Sequence, residues 1–365
     1  MEQTDTPSDP TERLRGLQSS KQRRIIETIE KLKARYVRSE RDDAINDQIQ
    51  RLIDNACLRK DPRLPHSGDN RCPGVGFMLT GESGAGKTTS LLRAFRDHPA
   101  FPGYGVTNSL CPLVSVVAPS PFNLKQLGVS ILNALGYPTD RDMRENVVWQ
   151  RVRAQIRLQG ILFLHIDDCQ DVLREADVKE IRKIRNTLKG LMTSFNWPLQ
   201  LILSGLPELI PFSQADRQVR RRLKYVHLRP VSAEDNDMID EAIRDYAKAA
   251  GLKFGVRAGD ELVDRLTHTA QNAMGLAFEL LLEAIEIALR GGRKALTMEE
   301  FSDVYAARTL QAADQNPFIS DEWSVIDTSL IRPKSEDMTP EDIEADDEDR
   351  GHRRPPKRKS GQKHR

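Results

Sequence analysis

Residues 81–88 read Gly81-Glu82-Ser83-Gly84-Ala85-Gly86-Lys87-Thr88, a G-x-x-x-x-G-K-T spacing whose residue types suit a chain of phosphates. Glycines let successive backbone N–H groups turn inward around an anion. Lys87 sets a point charge on the β/γ oxygens, and the Thr88 hydroxyl ligates Mg²⁺. With Thr89, these residues are the candidate site for ATP and its metal. The flanks agree: Gly76-Phe77-Met78-Leu79-Thr80 suits a buried parallel strand, and Thr89-Ser90-Leu91-Leu92-Arg93-Ala94-Phe95 continues as an amphipathic helix.

Further groups along the chain would complete hydrolytic chemistry. The apolar run Leu164-His165-Ile166 leads into Asp167 and Asp168, where the first acid holds Mg²⁺ through its water shell and the second polarises an attacking water. The run Leu201-Ile202-Leu203 ends on Ser204, which either holds that water as a sensor or opens a turn. Arg220, Arg221 and Arg222 sit in a basic cluster from Arg217 to Lys224. One of them, with Arg221 and Arg222 foremost, is the candidate arginine supplied across a subunit interface; the alternative is a solvated helix end. Lys179, Arg182, Lys183, Arg185 and Lys189 recur at helical spacing, either as a stripe that tracks the phosphates of double-stranded DNA or as an ordinary solvated face.

The elements that must position these groups alternate. Strands are expected at 76–80, 113–117, 161–166 and 199–203. Helices lie between them: one capped by Ser120 with Pro121 first and Gly136 at its end, one over about 142–159, and a basic one over about 177–195. Alternating β and α units imply a parallel sheet with helices on both faces, an α/β fold. Past Pro230 the strand pattern ends. Ser232-Ala233-Glu234-Asp235 and Thr297-Met298-Glu299-Glu300 read as capping boxes, so an all-helical lid is expected. The expected organisation is a disordered segment over 1–20, N-terminal helices and a linker over 21–75, a nucleotide-binding domain over 76–230, a helical lid over 231–315, and a disordered tail over 316–365. That tail is acidic over 336–349, then basic from Arg353 to Lys359, the composition of a partner-docking segment.

Composition narrows the setting. Charged residues make up 30% of the chain but the net charge is only +1, so any basic surface is local. Cys57, Cys72, Cys111 and Cys169 show neither metal nor disulfide spacing, and no apolar leader or membrane-length apolar window appears. A cytoplasmic protein is expected, without membrane contact.

The phosphate loop, Asp-Asp strand, Ser-Gly strand end, arginine cluster and helical lid follow the order of an AAA+ ATPase. Ala118-Pro119-Ser120-Pro121, Leu127, Ile131-Leu132, Leu135-Gly136-Tyr137-Pro138, Ile166-Asp167-Asp168-Cys169-Gln170 and Leu203-Ser204-Gly205-Leu206-Pro207-Glu208-Leu209 resemble the TniB and TnsC ATP-binding proteins of transposons, over roughly residues 25–290. The resemblance implies an ATP-dependent regulator of DNA transposition. Such a protein assembles as a homo-oligomeric ring or filament on target DNA, recruits a transposase, with a target-selection subunit as a further partner, and links ATP turnover to disassembly or target choice. Secretion ATPases of the ExeA type and replication helicase loaders share the same core. Two departures carry consequences. Asp168 stands where the second acid is usually Glu, which implies slow hydrolysis. Leu276 and Ala277, in Asn272-Ala273-Met274-Gly275-Leu276-Ala277, stand where many relatives place a sensing arginine.

Overall fold

The computed structural model describes residues 9–332 except 107–108, 121, 138, 140–141 and 171–176. At its centre is a five-stranded, wholly parallel sheet of order β2-β3-β4-β1-β5. Its strands are β1 (Gly76–Thr80), β2 (Leu113–Val117), β3 (Phe163–Asp167), β4 (Gln200–Gly205) and β5 (Leu223–His227). The first four fall where the apolar runs place them. The fifth escapes the sequence pattern, because it is an edge strand with Lys224, Tyr225 and His227 exposed and only Leu223 and Val226 buried.

Side-chain alternation along the strands divides the core between the two faces. Phe77, Leu79, Phe163 and Ile202 pack with Leu91 and Phe95 of α4 (Lys87–Asp97) and with Ile45, Ile49 and Leu52 of α3 (Glu40–Cys57). On the other face Met78, Leu164, Ile166, Leu201 and Leu203 meet α5 (Leu124–Ala134), α6 (Glu145–Leu158) and α7 (Val178–Met192). Helix α5 starts later than its sequence suggests: Asn123, not Ser120, caps it by accepting from the Gln126 amide at 2.9 Å, while Pro121 lies outside the described residues.

The lid is built from α10 (Asn236–Ala249), α11 (Leu262–Thr269), α12 (Met274–Gly291) and α13 (Met298–Thr309), which follow the short α8 (Ile210–Gln214) and α9 (Arg217–Arg222). It is not wholly helical, since Lys253–Phe254 and Ala295–Leu296 pair as two short parallel strands. Both expected capping boxes form, Ser232 with Asp235 and Thr297 with Glu300. The N-terminal helices do not make a unit of their own. After the short α1 (Pro10–Gly16), α2 (Ser20–Lys33) buries Ile25, Ile29 and Leu32 in the lid core, whereas α3 packs on the sheet.

Both expected disordered boundaries move outward. Helix α1 already lies within 1–20, and residues 313–332 form a strap across the lid rather than the start of a tail. Phe318 stacks on Phe301 at 5.5 Å between ring centroids, and Ile331 is buried in the lid core. Asn316, also buried, donates to the Ser302 carbonyl at 3.0 Å, and Arg265 donates to the carbonyls of Pro317 and Ser320 at 2.6 and 2.7 Å. The acidic and basic tail, 336–365, lies outside the described residues. Because its blocks of like charge hold too little apolar surface to bury, ending the chain after residue 335 should leave thermal melting unchanged. Ending it after residue 312 strips Phe318, Ile326 and Ile331 from their packing and should cost about 5 kcal/mol or more, at roughly 2–4 kcal/mol per large apolar group. Melting of the two truncated chains, side by side, checks this.

Candidate functional site

The phosphate loop joins β1 to α4 and is shaped by two glycines in left-handed backbone, Gly84 at φ 73° and Gly86 at φ 92°. Only glycine takes such angles freely, and here they turn the loop around the α4 N-terminus. The buried Lys87 donates from Nζ to the Gly81 and Glu82 carbonyls at 2.8 and 3.0 Å, so the loop orients its own cation. Burial pushes the Lys87 ammonium below the ordinary lysine value against the pull of Asp168, Asp167 and Glu82, and Arg332 adds to the downward push. A desolvated ammonium ringed by carbonyls fits an anionic phosphate partner.

The Thr88 hydroxyl donates to Asp167 Oδ2 at 2.7 Å, so the two residues expected to hold Mg²⁺ meet at one point although they are far apart in sequence. The other Asp167 oxygen takes a hydrogen bond from Ser204 Oγ and one from the Asp168 amide at 3.1 Å. Burial works to raise the Asp167 pKa, but the Ser204 hydroxyl, His165, the Thr88 hydroxyl and the Asp168 amide together hold it below the ordinary value. The carboxylate is thus ionised and ready for a cation. When bound there, Mg²⁺ would neutralise phosphate charge.

Ser204 does not face the loop as a free sensor. Its fully buried hydroxyl lies between Asp167 and His165 Nε2, the latter at 2.8 Å, and so braces the metal-side carboxylate. The chain of hydrogen bonds continues: His165 Nδ1 lies 3.1 Å from Ser115 Oγ, which accepts from the Tyr104 hydroxyl at 2.7 Å. Register makes this chain possible, because Ser115 pairs with His165 across β2 and β3 and the side chains point to one face of the sheet. Burial holds His165 neutral and pushes it down to about 4, against the pull of Asp167. A histidine inside an otherwise apolar strand is the one sequence signal for this network.

Asp168 follows with φ 54°, left-handed and outside the strand. Asp and Asn tolerate that region better than longer side chains, which gives a physical reason for the short acid where Glu is usual. Gln170 secures the same turn, accepting from the Leu206 amide at 3.3 Å.

Beside the loop, a cavity of about 270 Å³ opens between the turn joining α2 to α3, the back of the loop and lid helices α10 and α12. Tyr36, Tyr246 and Phe278 supply rings to its wall, as befits a purine base. Arg41 borders it with Nε and Nη2 buried and without a hydrogen-bond partner; Nη2 faces Asp235 Oδ2 at 3.7 Å, so the charge is paired while its donors stay open to a polar ligand. The lid meets the loop directly: the Leu276 amide donates to the Gly84 carbonyl at 3.1 Å, and a Cβ on Gly275 would stand 2.6 Å from that same oxygen. Glycine at 275 lets the helix start touch the loop, and no arginine of this segment does so.

The remaining candidates separate. Helix α9 feeds the N-terminal end of β5, so Arg220, Arg221 and Arg222 lie at the edge of the sheet opposite the phosphate loop, where they cannot serve their own subunit's site. Arg222 donates to the Gly74 carbonyl at 3.4 Å, whereas Arg220 and Arg221 are exposed and have no ion pair among the described residues. The basic stripe of α7 is likewise split. Arg185 donates to the Phe212 carbonyl at 3.3 Å and Lys189 pairs with Asp216 at 2.8 Å, both tying α7 to the segment that follows. Lys183 pairs with Glu180 at 3.0 Å, so Lys179 and Arg182 remain as the exposed groups without an ion pair among the described residues.

Solved structures similar to this chain share its fold. Cdc6p from Pyrobaculum aerophilum matches with a TM-score of 0.53 at 18% identity, covering 76% of this chain and 70% of that one. The Aeropyrum pernix ORC2 protein, solved as ADPNP-ADP complexes, matches at 0.51 and 16% identity, covering 76% and 69%. The Aeropyrum pernix ORC1 protein in complex with DNA matches at 0.51 and 15% identity, covering 76% and 65%. No curated protein matches. Among the described residues, no helix is long and apolar enough to cross a membrane. A family model described as bacterial TniB protein matches residues 33–233, from the turn before α3 through the whole parallel sheet. With the AAA+ ATPase fold and its phosphate loop in place, the chain belongs to the TniB family.

Proposed function

We propose that this protein is an ATP-dependent regulator of DNA transposition, which oligomerises on target DNA, recruits a transposase, and couples ATP hydrolysis to disassembly or target selection. The observation that carries the reading is the TniB match, because it spans both the phosphate loop and the Asp167-Asp168 strand end in one continuous segment. The position of Arg220 and Arg221 supports assembly: an arginine that cannot reach its own loop has a use at a neighbour's. Contact with DNA gains support from the relative solved in complex with DNA. Imaging the protein with a non-hydrolysable ATP analogue, duplex DNA and a transposase from a transposon that carries a TniB-type protein tests the proposal, which fails if no oligomer forms on DNA or if the transposase does not join it.

The surface assigned to DNA is the exposed end of α7. Replacing Lys179 and Arg182 by Ala should weaken binding to all sequences alike and flatten the log-log salt slope by about 0.9 for each phosphate no longer neutralised. Lys189→Ala should leave the slope alone and instead loosen α7 from the cap of α9, since its partner Asp216 accepts from the Gln218 and Val219 amides. Salt titrations of the variants separate the two roles.

A further inference from the structure

The strap that crosses the lid ends on the phosphate loop. Thr328 is buried and donates to the His268 carbonyl at 3.2 Å, and its own carbonyl accepts from Gln271 Nε2 at 2.9 Å. A 3₁₀ turn over Ser329–Ile331 follows, with Ile331 set in the lid core. The next residue, Arg332, extends its guanidinium to the loop and donates from Nη1 to the Ser83 carbonyl. Successive loop carbonyls are thereby claimed in turn: Gly81 and Glu82 by Lys87, Ser83 by Arg332, and Gly84 by the Leu276 amide at the start of α12.

Two cations held on adjacent carbonyls of one short loop repel each other unless an anion lies between them. Through the Ser83 carbonyl Arg332 stands on the loop next to the Glu82 carbonyl that holds Lys87, close enough to act on the Lys87 charge. That charge is what the β/γ oxygens of a bound nucleotide meet. We propose that Arg332 contacts the terminal phosphate of bound ATP in cis, so that the C-terminal strap supplies the sensing arginine that Leu276 and Ala277 leave out of the lid. The assignment rests on the nucleotide site described above. The arginine arrives on a segment anchored to α11 and α13, so occupancy of the terminal phosphate position would be felt directly by the lid.

The test compares ATP and ADP binding by the full chain with that of Arg332→Ala and Arg332→Lys, together with melting of each protein without nucleotide. Removing a charge-assisted hydrogen bond should lower ATP affinity at least about tenfold in Arg332→Ala. ADP affinity should stay within about twofold, Arg332→Lys should recover part of the ATP affinity, and nucleotide-free melting should not move. Equal losses for ATP and ADP, or no loss for either, would overturn the assignment and leave Arg332 as a staple to Ser83. A failure of the nucleotide site itself looks different, because the unsubstituted protein would then bind neither nucleotide.

Discussion

Replacing Lys87 by Ala should abolish measurable ATP binding. Its ammonium is buried, oriented by two loop carbonyls, and faces the place where phosphate charge arrives. Removing one partner from such a desolvated pair costs about 2–5 kcal/mol, or roughly 30- to 5000-fold in affinity. The fold should not suffer, because an unliganded buried cation is itself a desolvation cost that alanine relieves. The measurement is melting with and without ATP: the variant should melt like the parent protein alone and lose the shift that nucleotide causes. An undiminished ATP-dependent shift would refute the loop assignment.

Asp168→Asn should keep ATP bound and stop its cleavage. The substitution preserves side-chain length and suits the left-handed backbone at φ 54°, so it removes the acceptor charge and little else. If Asp168 draws the proton from the attacking water, single-turnover cleavage should fall about 100- to 10,000-fold with ATP affinity unchanged. Under the proposed cycle, assemblies on DNA should then outlive those of the parent protein. Full cleavage by Asp168→Asn would remove this residue from the chemistry. Asp167→Asn gives the contrast: weakening the carboxylate that meets Thr88 should lower nucleotide and metal binding together.

The phosphate loop and the acid pair are legible in the sequence because their chemistry fixes residue types at short spacing. The first four strands are legible because each is a largely buried, continuous apolar run. Strand β5 is not, since an edge strand exposing Lys224, Tyr225 and His227 has no such signature. The bracing role of Ser204 depends on register with β3, which a single strand does not reveal. The α7 stripe misleads because periodicity shows which residues share a face and not what packs along it: Arg185 and Lys189, further along the helix, meet the Phe212 carbonyl and Asp216, whereas Lys179 and Arg182 near its start stay exposed. Arg332 is hidden inside a stretch without periodicity, whose order comes from Asn316, Phe318 and Ile331 finding places in the lid rather than from any local pattern.

The hydrogen-bonded chain from Tyr104 to Asp167 runs in one direction only, and Thr88 meets it from the other side. Asp167, as a carboxylate, accepts at both oxygens, so Thr88 and Ser204 must direct their protons to it. The Ser204 oxygen is then left to accept, which requires the proton of His165 to be on Nε2. His165 Nδ1 must accept in its turn, the Ser115 proton points at the ring, and the Tyr104 proton points at Ser115. One ionised carboxylate therefore dictates the tautomer of a histidine and the rotor of a tyrosine beyond it. Protonating Asp167 would free every one of these polarities to reverse, so the sheet interior carries a directional record of the charge at its metal-facing edge.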